Sequence, residues 1–591
     1  MNDFMQIEGA RCRQQMVAMR DGTRLNTFVY LPLNGGPSYP VIVHRTPYGI
    51  TLGDCEDPTD CTRGWLPSAA EPLRGSILRG WKAIVARGYA AVYQDTRGRY
   101  GSEGEDLVYG ADAEDGADLL QWIAAQAWSN QRVGLSGSSA GATTALAAAA
   151  SGHPSIGAFF AQVGGSSIYD DVVYEGQAIE MERLWLWVAK NVPGLSASHK
   201  AIAADRAGIS LAALEAVAAE ANACYQRLDA ARGATPPFVD DPDWLRLPLL
   251  GHPQFSVCQP YLDEILSHPA PDEFRARHDF RHGIRAPGFH VTTWYDIFQT
   301  SVIGAFQTLQ ARIGNQRLWI GPNDHYFVYQ DAFWPRDPYF EWFDHWLKDA
   351  HTPLVDEPPV HYASHAWISR PDHYRADDWC HAPSWPPPAA STRRLYLVGD
   401  ASLRDRPVGG EPRSFDYDPR HPVPTLGGRN MLIQPGPLDQ RPIQDLPGYG
   451  LMYTGEPLDA PLTLAGPVSV HLQVQSDCPD TDFVTRLIEL REDGSAIALM
   501  EGVTRAMLRE PERGVQTLRP DEVVSLRIDL GHIRHTLPTG CRLRVDVGSS
   551  NFPRRARNTN SGNLLLAADG RIAVIDWSLT ARLSKAEREA L

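Results

Sequence analysis

Residues 132–151 read "RVGLSGSSAGATTALAAAAS": a short apolar run, a Gly/Ser-rich turn and an alanine-rich stretch with helical propensity. A strand that turns this abruptly into a helix belongs to an α/β architecture with a parallel sheet. The turn holds three serines. At such a bend the residues two before and two after the central one must be tiny, because the chain nearly touches itself. Gly137-Ser138-Ser139-Ala140-Gly141 meets that demand around Ser139. Ser136 has Gly134 behind it but Ser138 ahead and falls inside the strand, and Ser138 lacks glycine at both positions. Ser139 is therefore the candidate nucleophile. The helix that starts at about Ala140 points unpaired N–H groups at the serine, and the N–H of Ala140 can hold an oxyanion there.

A serine nucleophile needs a base, and the base needs a carboxylate to orient it. In sheets of this type the acid and then the base follow the serine, on loops after later strands. "GFHVTTWYDIF" sets Asp296 at a strand end, and "RLWIGPNDHYF" sets His325 just beyond another. Position alone does not select His325 from 19 histidines. Asp324, its neighbour, reads as a solvated loop carboxylate, since adjacent side chains on a loop diverge.

The texture around these motifs divides the chain. Over residues 1–168 strands such as "TFVYLPL", "YPVIVHR" and "AAVYQDT" alternate with helices such as "GSILRGWKAIVARG" and "AEDGADLLQWIAAQAW". From 169 to 283 strand signals vanish; "EGQAIEMERLWLWVAKNV" and "SLAALEAVAAEANACYQRLDAARG" are helical, which predicts a helical cap over the sheet's C-terminal edge. The α/β pattern resumes over 284–352. From 353 to 591, after the proline-rich "HAPSWPPPAAST", many short strands predict a β-sandwich of jelly-roll type, with a hairpin turn at Asp493-Gly494.

At 591 residues the chain is too long for one core, and 43% hydrophobic with 21% charged residues describes a globular protein. A net charge of -16 argues against nucleic-acid and anionic-membrane partners. With no leader-like start and no apolar run of about 20 residues, the expected location is the cytoplasm. None of the eight cysteines forms a CxxC pair, so no zinc site is expected; Cys55 and Cys61 read as two free thiols, with a small bonded loop in an oxidising compartment as the alternative. "GDCEDPTDC" lacks EF-hand spacing and "GRYGSEG" is no phosphate loop, so neither a metal nor a cofactor is expected.

"RTPYG" (45–49), "GYAAVYQDTRGRYGSEGE" (88–105), "VGLSGSSAG" (133–141), "SHPAPDEF" (267–274), "WYDIF" (294–298), "GPNDH" (321–325) and "NFPRRARNTNSG" (551–562) occur in the order seen in one family. The chain resembles the cocaine esterase-like hydrolases, relatives of X-prolyl dipeptidyl peptidases and α-amino-acid ester hydrolases. The resemblance implies an α/β-hydrolase core with a helical cap and a C-terminal jelly roll, with Ser139, Asp296 and His325 as nucleophile, acid and base. It also implies Tyr48 as an oxyanion donor beside the Ala140 N–H. The family's usual tryptophan near the histidine is absent from "GPNDH", which implies a differently shaped loop. The ester hydrolases that hold an ammonium group do so with acidic residues directly after the triad acid; here Ile297, Phe298 and Gln299 follow, so an ammonium-bearing substrate is set aside. X-prolyl peptidases are generally longer.

Phe298, with Trp185 and Trp187 of the cap, points to an apolar or aromatic pocket, although tryptophans on amphipathic helices are commonly core. The expected function is a serine carboxylesterase acting through an acyl-enzyme on a small ester. The same residues suit an amidase, peptidase or acyltransferase, and a binding protein with a vestigial hydrolase domain is the non-enzymatic alternative. The sequence leaves the oligomeric state open.

Overall fold

The structure, a computed structural model, describes residues 4–50, 80–230, 241–329, 338–367 and 378–562 apart from positions 8, 35, 248 and 521, together with Arg336. Cys55, Cys61 and the acidic loop around them lie outside the described residues.

An 11-stranded sheet organises the molecule. Strands β1 (Met5–Ile7), β2 (Ala10–Ala18) and β3 (Arg24–Pro32) form an antiparallel edge. Beside it run β4 (Tyr39–Thr46), β5 (Ala90–Asp95), β6 (Ser129–Ser138) and β7 (Ile156–Gln162), with β5 inserted between β3 and β4. Helices α1 (Trp81–Ala86), α2 (Asp112–Ala124) and α3 (Ala140–Ala150) connect them. Because both faces are covered, β4 and β5 are buried at every residue and β6 over its last six. Successive side chains of β4 go to opposite cores: Ile42 packs with Trp81 of α1, whereas Val41 and Val43 pack with Leu119 and Leu120 of α2. Ten of the eleven residues of α3 are buried. Its alanines permit close helix packing, for a Cβ on Gly116 of α2 would lie 2.5 Å from the Ala148 Cβ.

The segment after β7 corrects one expectation. "EGQAI" is not helical: β8 (Tyr174–Glu175) and β9 (Ala178–Ile179) form a small hairpin. Its two turn residues, Gly176 and Gln177, both have positive φ, +53° and +66°, the conformation a tight two-residue hairpin requires. A Cβ on Gly176 would come within 1.7 Å of the Val503 carbonyl, so contact with the C-terminal domain outweighs the local helical pattern. Helix α4 (Met181–Asn191) then begins the cap, followed by α5 (Ala197–Ala207), α6 (Leu211–Ala230), α7 (Pro242–Leu245), α8 (Phe255–Cys258), α9 (Tyr261–Leu266) and α10 (Glu273–Arg277).

The sheet resumes with β10 (Gly288–Tyr295) and β11 (Gln316–Asp324), linked by α11 (Gln299–Ile313) and followed by α12 (Tyr339–Lys348). It continues across residue 353: β12 (Val360–Ala363) pairs parallel with β11, and β13 (Trp379–Ala382) closes the edge. A short ribbon, β14 (Tyr396–Leu397) with β15 (Leu403–Arg404), leads into the C-terminal sheets. These are built from β16 (Leu451–Thr454), β17 (Leu462–Val474), β18 (Asp482–Leu490), β19 (Ala496–Arg505), β20 (Val524–Leu537) and β21 (Arg542–Gly548). One sheet has the order β16-β21-β18-β19 and the other pairs β17 with β20. Leu526, Ile528 and Leu530 of β20 share a core with Leu487, Leu499 and Val545 of the first sheet. Gly494, at φ +82°, and Asp493, which accepts the Ser495 N–H at 2.9 Å, turn β18 into β19.

A buried ionic seam joins this domain to the hairpin and α4. Arg554 meets Glu175 (2.9 Å), Glu180 (3.3 Å) and Glu501; Arg555 meets Glu175 (2.8 Å) and Glu180 (3.1 Å); Arg429 meets Glu175 (2.6 Å). Next to it, the buried Glu182 carboxylate accepts the main-chain N–H groups of Met431 (3.0 Å), Leu432 (2.6 Å) and Ile433 (3.4 Å). Such groups gain little net stability over an apolar core, yet removing one side strands the charge on the other.

Candidate active site

Ser139 sits between β6 and α3 with φ +53° and ψ −124°, a conformation that costs a serine about 1–3 kcal/mol. The local packing enforces it. A Cβ on Gly137 would lie 2.0 Å from the Gly141 carbonyl oxygen, so the strand can pass the helix start only as glycine. At Gly141 a Cβ would meet only the Arg45 oxygen at 3.5 Å, an ordinary contact. The demand for smallness thus falls on the residue two before the serine, not equally on both flanks. The Ser139 N–H donates to Gln162 O at 2.8 Å, and the N–H groups of Ala142 and Thr143 donate to Ser139 O at 2.9 and 3.1 Å, which pins the turn from both sides.

Two neighbouring strands deliver the partners. In the β10–β11 pairing Tyr295 lies opposite Asp324, so the residues that follow, Asp296 and His325, leave adjacent strand ends together. His325 Nδ1 is 2.7 Å from Asp296 Oδ1, and His325 Nε2 is 3.1 Å from Ser139 Oγ. A carboxylate only accepts, so Nδ1 carries the proton and the Nε2 lone pair faces the serine hydroxyl. Thr292, one turn of pleat earlier on β10, donates its hydroxyl to Asp296 Oδ2 at 2.8 Å. Asp296 and His325 are 0% exposed and Ser139 4%, so the whole chain of contacts lies out of water.

Asp324 is not the freely solvated carboxylate expected. It accepts the Tyr326 N–H at 3.0 Å, and burial pushes its carboxyl above the usual range. The β11 edge register, with Thr293 Oγ1 donating to Asp324 O at 2.9 Å, holds this residue against the strand end rather than in solvent. Tyr48 is buried two residues past the end of β4, the strand beside β6, and packs in the same cluster as Ala140 and Tyr109.

A cavity with about 20 Å³ of free volume, room for one water, adjoins Ser139. Its walls are Val108, Tyr109, Ala140, Val172, Arg183, Leu184, Trp187, Ile297, Phe298 and Met431. Phe298 and Trp187 are thus placed at the site. Trp185 is not: it is 1% exposed and packs on His252 and Phe255 inside the cap, because on α4 the neighbouring odd positions 185 and 187 are about 200° apart and face different ways. Val108 and Tyr109 carry positive φ, +43° and +68°, a second strained spot on the wall. Sequence reasoning missed Thr292, Tyr109, Arg183 and Met431. Thr292 lies on β10 four residues before Asp296, which follows the strand's end in a turn; Met431 comes from a C-terminal loop with no local signal.

Among the described residues no group of three or more His, Cys, Asp or Glu is placed to hold a metal ion, and no helix is long and apolar enough to cross a membrane.

With the geometry in place, the chain was compared with known proteins. Residues 21–327 match the family model described as X-Pro dipeptidyl-peptidase (S15 family), and residues 354–575 match the X-Pro dipeptidyl-peptidase C-terminal non-catalytic domain. A cocaine esterase from Rhodococcus sp. (strain MB1 Bresler) is 30% identical over 584 residues, spanning 93% of this chain and 92% of that protein. Among solved structures, an α-amino acid ester hydrolase superposes with a TM-score of 0.68 at 22% identity, covering 95% of this chain and 93% of the other. A CocE/NonD family hydrolase from Staphylococcus aureus gives 0.64 at 17% identity, covering 97% and 90%. The last two likenesses show the fold: an α/β-hydrolase with a C-terminal domain.

Proposed function

Because this chain belongs to the X-Pro dipeptidyl-peptidase (S15) family, whose members here include an esterase relative, we propose that it hydrolyses small carboxylic esters with Ser139, His325 and Asp296 as its triad. The observation that carries the reading is the buried relay Ser139 Oγ–His325–Asp296, at 3.1 and 2.7 Å.

The steps follow from that relay. Nε2 of His325 takes the proton as Ser139 Oγ bonds to the ester carbonyl carbon, and the carbonyl π pair moves to oxygen. The Ala140 N–H, at the first turn of α3, and the Tyr48 hydroxyl receive that oxyanion; one such donor is worth about 10²–10³ in rate. The imidazolium, held by Asp296, gives its proton to the departing alcohol as the C–O bond breaks. Water then attacks the acyl-enzyme, with His325 as base again, and releases the acid and free Ser139. Burial of all three residues strengthens each of these electrostatic terms. Phe298, Leu184 and Trp187 offer an apolar wall to the substrate's carbon skeleton.

Ser139→Ala is expected to abolish p-nitrophenyl ester turnover with the far-UV spectrum unchanged, and a fluorophosphonate probe is expected to label the wild type at Ser139. Undiminished turnover in the variant refutes the assignment.

A further inference from the structure

Ten of the eleven residues lining the catalytic cavity are uncharged; the exception is Arg183 on α4. Its side chain is buried, 7% exposed, and its Nε and Nη1 donate to the main-chain oxygens of Val172 and Ile297 at 2.9 and 2.8 Å. Its guanidinium carbon stands 5.3 Å from the centre of the Phe298 ring, which in turn is 5.9 Å from the His325 ring. The guanidinium is thus part of the wall that faces the chemistry.

Its charge is matched only by a long ion pair. Glu180 Oε2 lies 4.0 Å from Nη2, beyond hydrogen-bond reach. Glu180 is already engaged by Arg554 at 3.3 Å and Arg555 at 3.1 Å. Main-chain carbonyls and a ring face orient a guanidinium but do not neutralise it. Burial accordingly outweighs the nearby carboxylates and lowers the affinity of Arg183 for its proton. A buried cation whose anions, Glu180, Glu175 and Asp171, all stand outside hydrogen-bond distance is a costly arrangement for packing alone, and a planar fork is the geometry that reads a carboxylate.

Arg183 and Ile297 also line a second, larger cleft of about 420 Å³, between the hairpin β8–β9, α11 and the C-terminal domain. Arg183 therefore belongs to the wall between the small cavity beside Ser139 and that larger cleft.

We propose that Arg183 is a specificity-determining residue that pairs with a carboxylate on the substrate, so that the preferred esters carry an apolar stem against Phe298, Leu184 and Trp187 and a negative charge at its end. Half-esters of short dicarboxylic acids have this chemistry. The inference rests on the ester-hydrolase reading above.

The experiment compares kcat/KM for p-nitrophenyl hemisuccinate and hemiglutarate with that for their methyl-capped neutral counterparts, and for 4-carboxyphenyl acetate with phenyl acetate. The first pairs place the charge on the acyl side and the last on the alcohol side. Wild-type protein is expected to favour the anionic member of one set at least tenfold, in KM more than kcat. Arg183→Gln is expected to erase the ratio, while Arg183→Lys retains part of it. Equal or reversed preference in the wild type, or an unchanged ratio in Arg183→Gln, overturns the proposal even if that variant folds poorly, since the wild-type ratio stands alone. Turnover of the neutral esters without anionic preference sinks only this inference; absence of all ester turnover sinks the hydrolase reading instead.

Discussion

Replacing Asp296 by Asn removes a charge and almost no volume. In the native site Asp296 accepts the Nδ1–H of His325 at 2.7 Å and the Thr292 hydroxyl at 2.8 Å. Thr292 fixes which way an amide settles. With its oxygen towards that donor, the amide NH₂ faces Nδ1. Turning it over would send the threonine proton to Thr293 O, 3.5 Å away, too long for a good bond. Nδ1 must then accept, the imidazole proton moves to Nε2, and a donor faces Ser139 Oγ where a base is needed. Loss of the base by tautomer exchange is worth about 10⁴ in kcat, or roughly 5.4 kcal/mol of barrier. The assay is p-nitrophenyl acetate turnover at saturating substrate, alongside a thermal melt. Activity of Asp296→Asn within tenfold of wild type, with a native melt, refutes the claim that this carboxylate sets the imidazole.

Tyr48→Phe deletes one hydroxyl and is expected to lower kcat about 10²–10³-fold with little change in the melt, if the phenol is the second oxyanion donor; stopped-flow acylation kinetics check this. Stability is expected to fall in mild acid. Burial depresses His44 to about 3 and His290 and His532 to about 4, so below about 6.5 the unfolded chain binds protons that the folded one refuses. Their contribution is full above that pH and drains away towards pH 4, at about 1.4 kcal/mol per pH unit for each imidazole. Asp112 and Asp480, each raised to about 6 by burial, oppose this between their unfolded values and 6. His361, lowered to about 3, joins the three rings, and two carboxyls released over about one pH unit do not outweigh four imidazoles. Urea midpoints at pH 7 and pH 5 decide: a higher midpoint at pH 5 contradicts the argument.

The parts legible in the sequence were those fixed by local chemistry. Gly137 before Ser139, the apolar runs that open β4 and β5, and the Asp493-Gly494 turn each announce their geometry within a few residues. Ser139, Asp296 and His325 were nominated by strand ends and by likeness to a family, and the β10–β11 register is what sets two of them side by side. Illegible were features decided across the fold. The hairpin at Gly176 packs so closely on Val503 that only glycine fits at its turn, a contact about 330 positions away in the chain. Trp185 and Trp187 look alike in the sequence, and only the angle of α4 decides which one meets the cavity. Met431 reaches the site from about 290 positions downstream of Ser139, through a loop without any pattern to mark it.

The Glu182 carboxylate that gathers three main-chain N–H groups at Met431, Leu432 and Ile433 has a bearing on how such chains can change over time. The domain that matches a family described as non-catalytic here supplies Met431 to the wall of the cavity beside Ser139, where Glu182 of α4, the helix that also carries Arg183 and Trp187, holds its main chain. Exchange of the C-terminal domain would take away Arg429, Arg554 and Arg555 and strand the charges on Glu175 and Glu180. A replacement at Met431 that moves its main chain therefore also disturbs α4, so the shape of that wall is set from both sides of the junction at once.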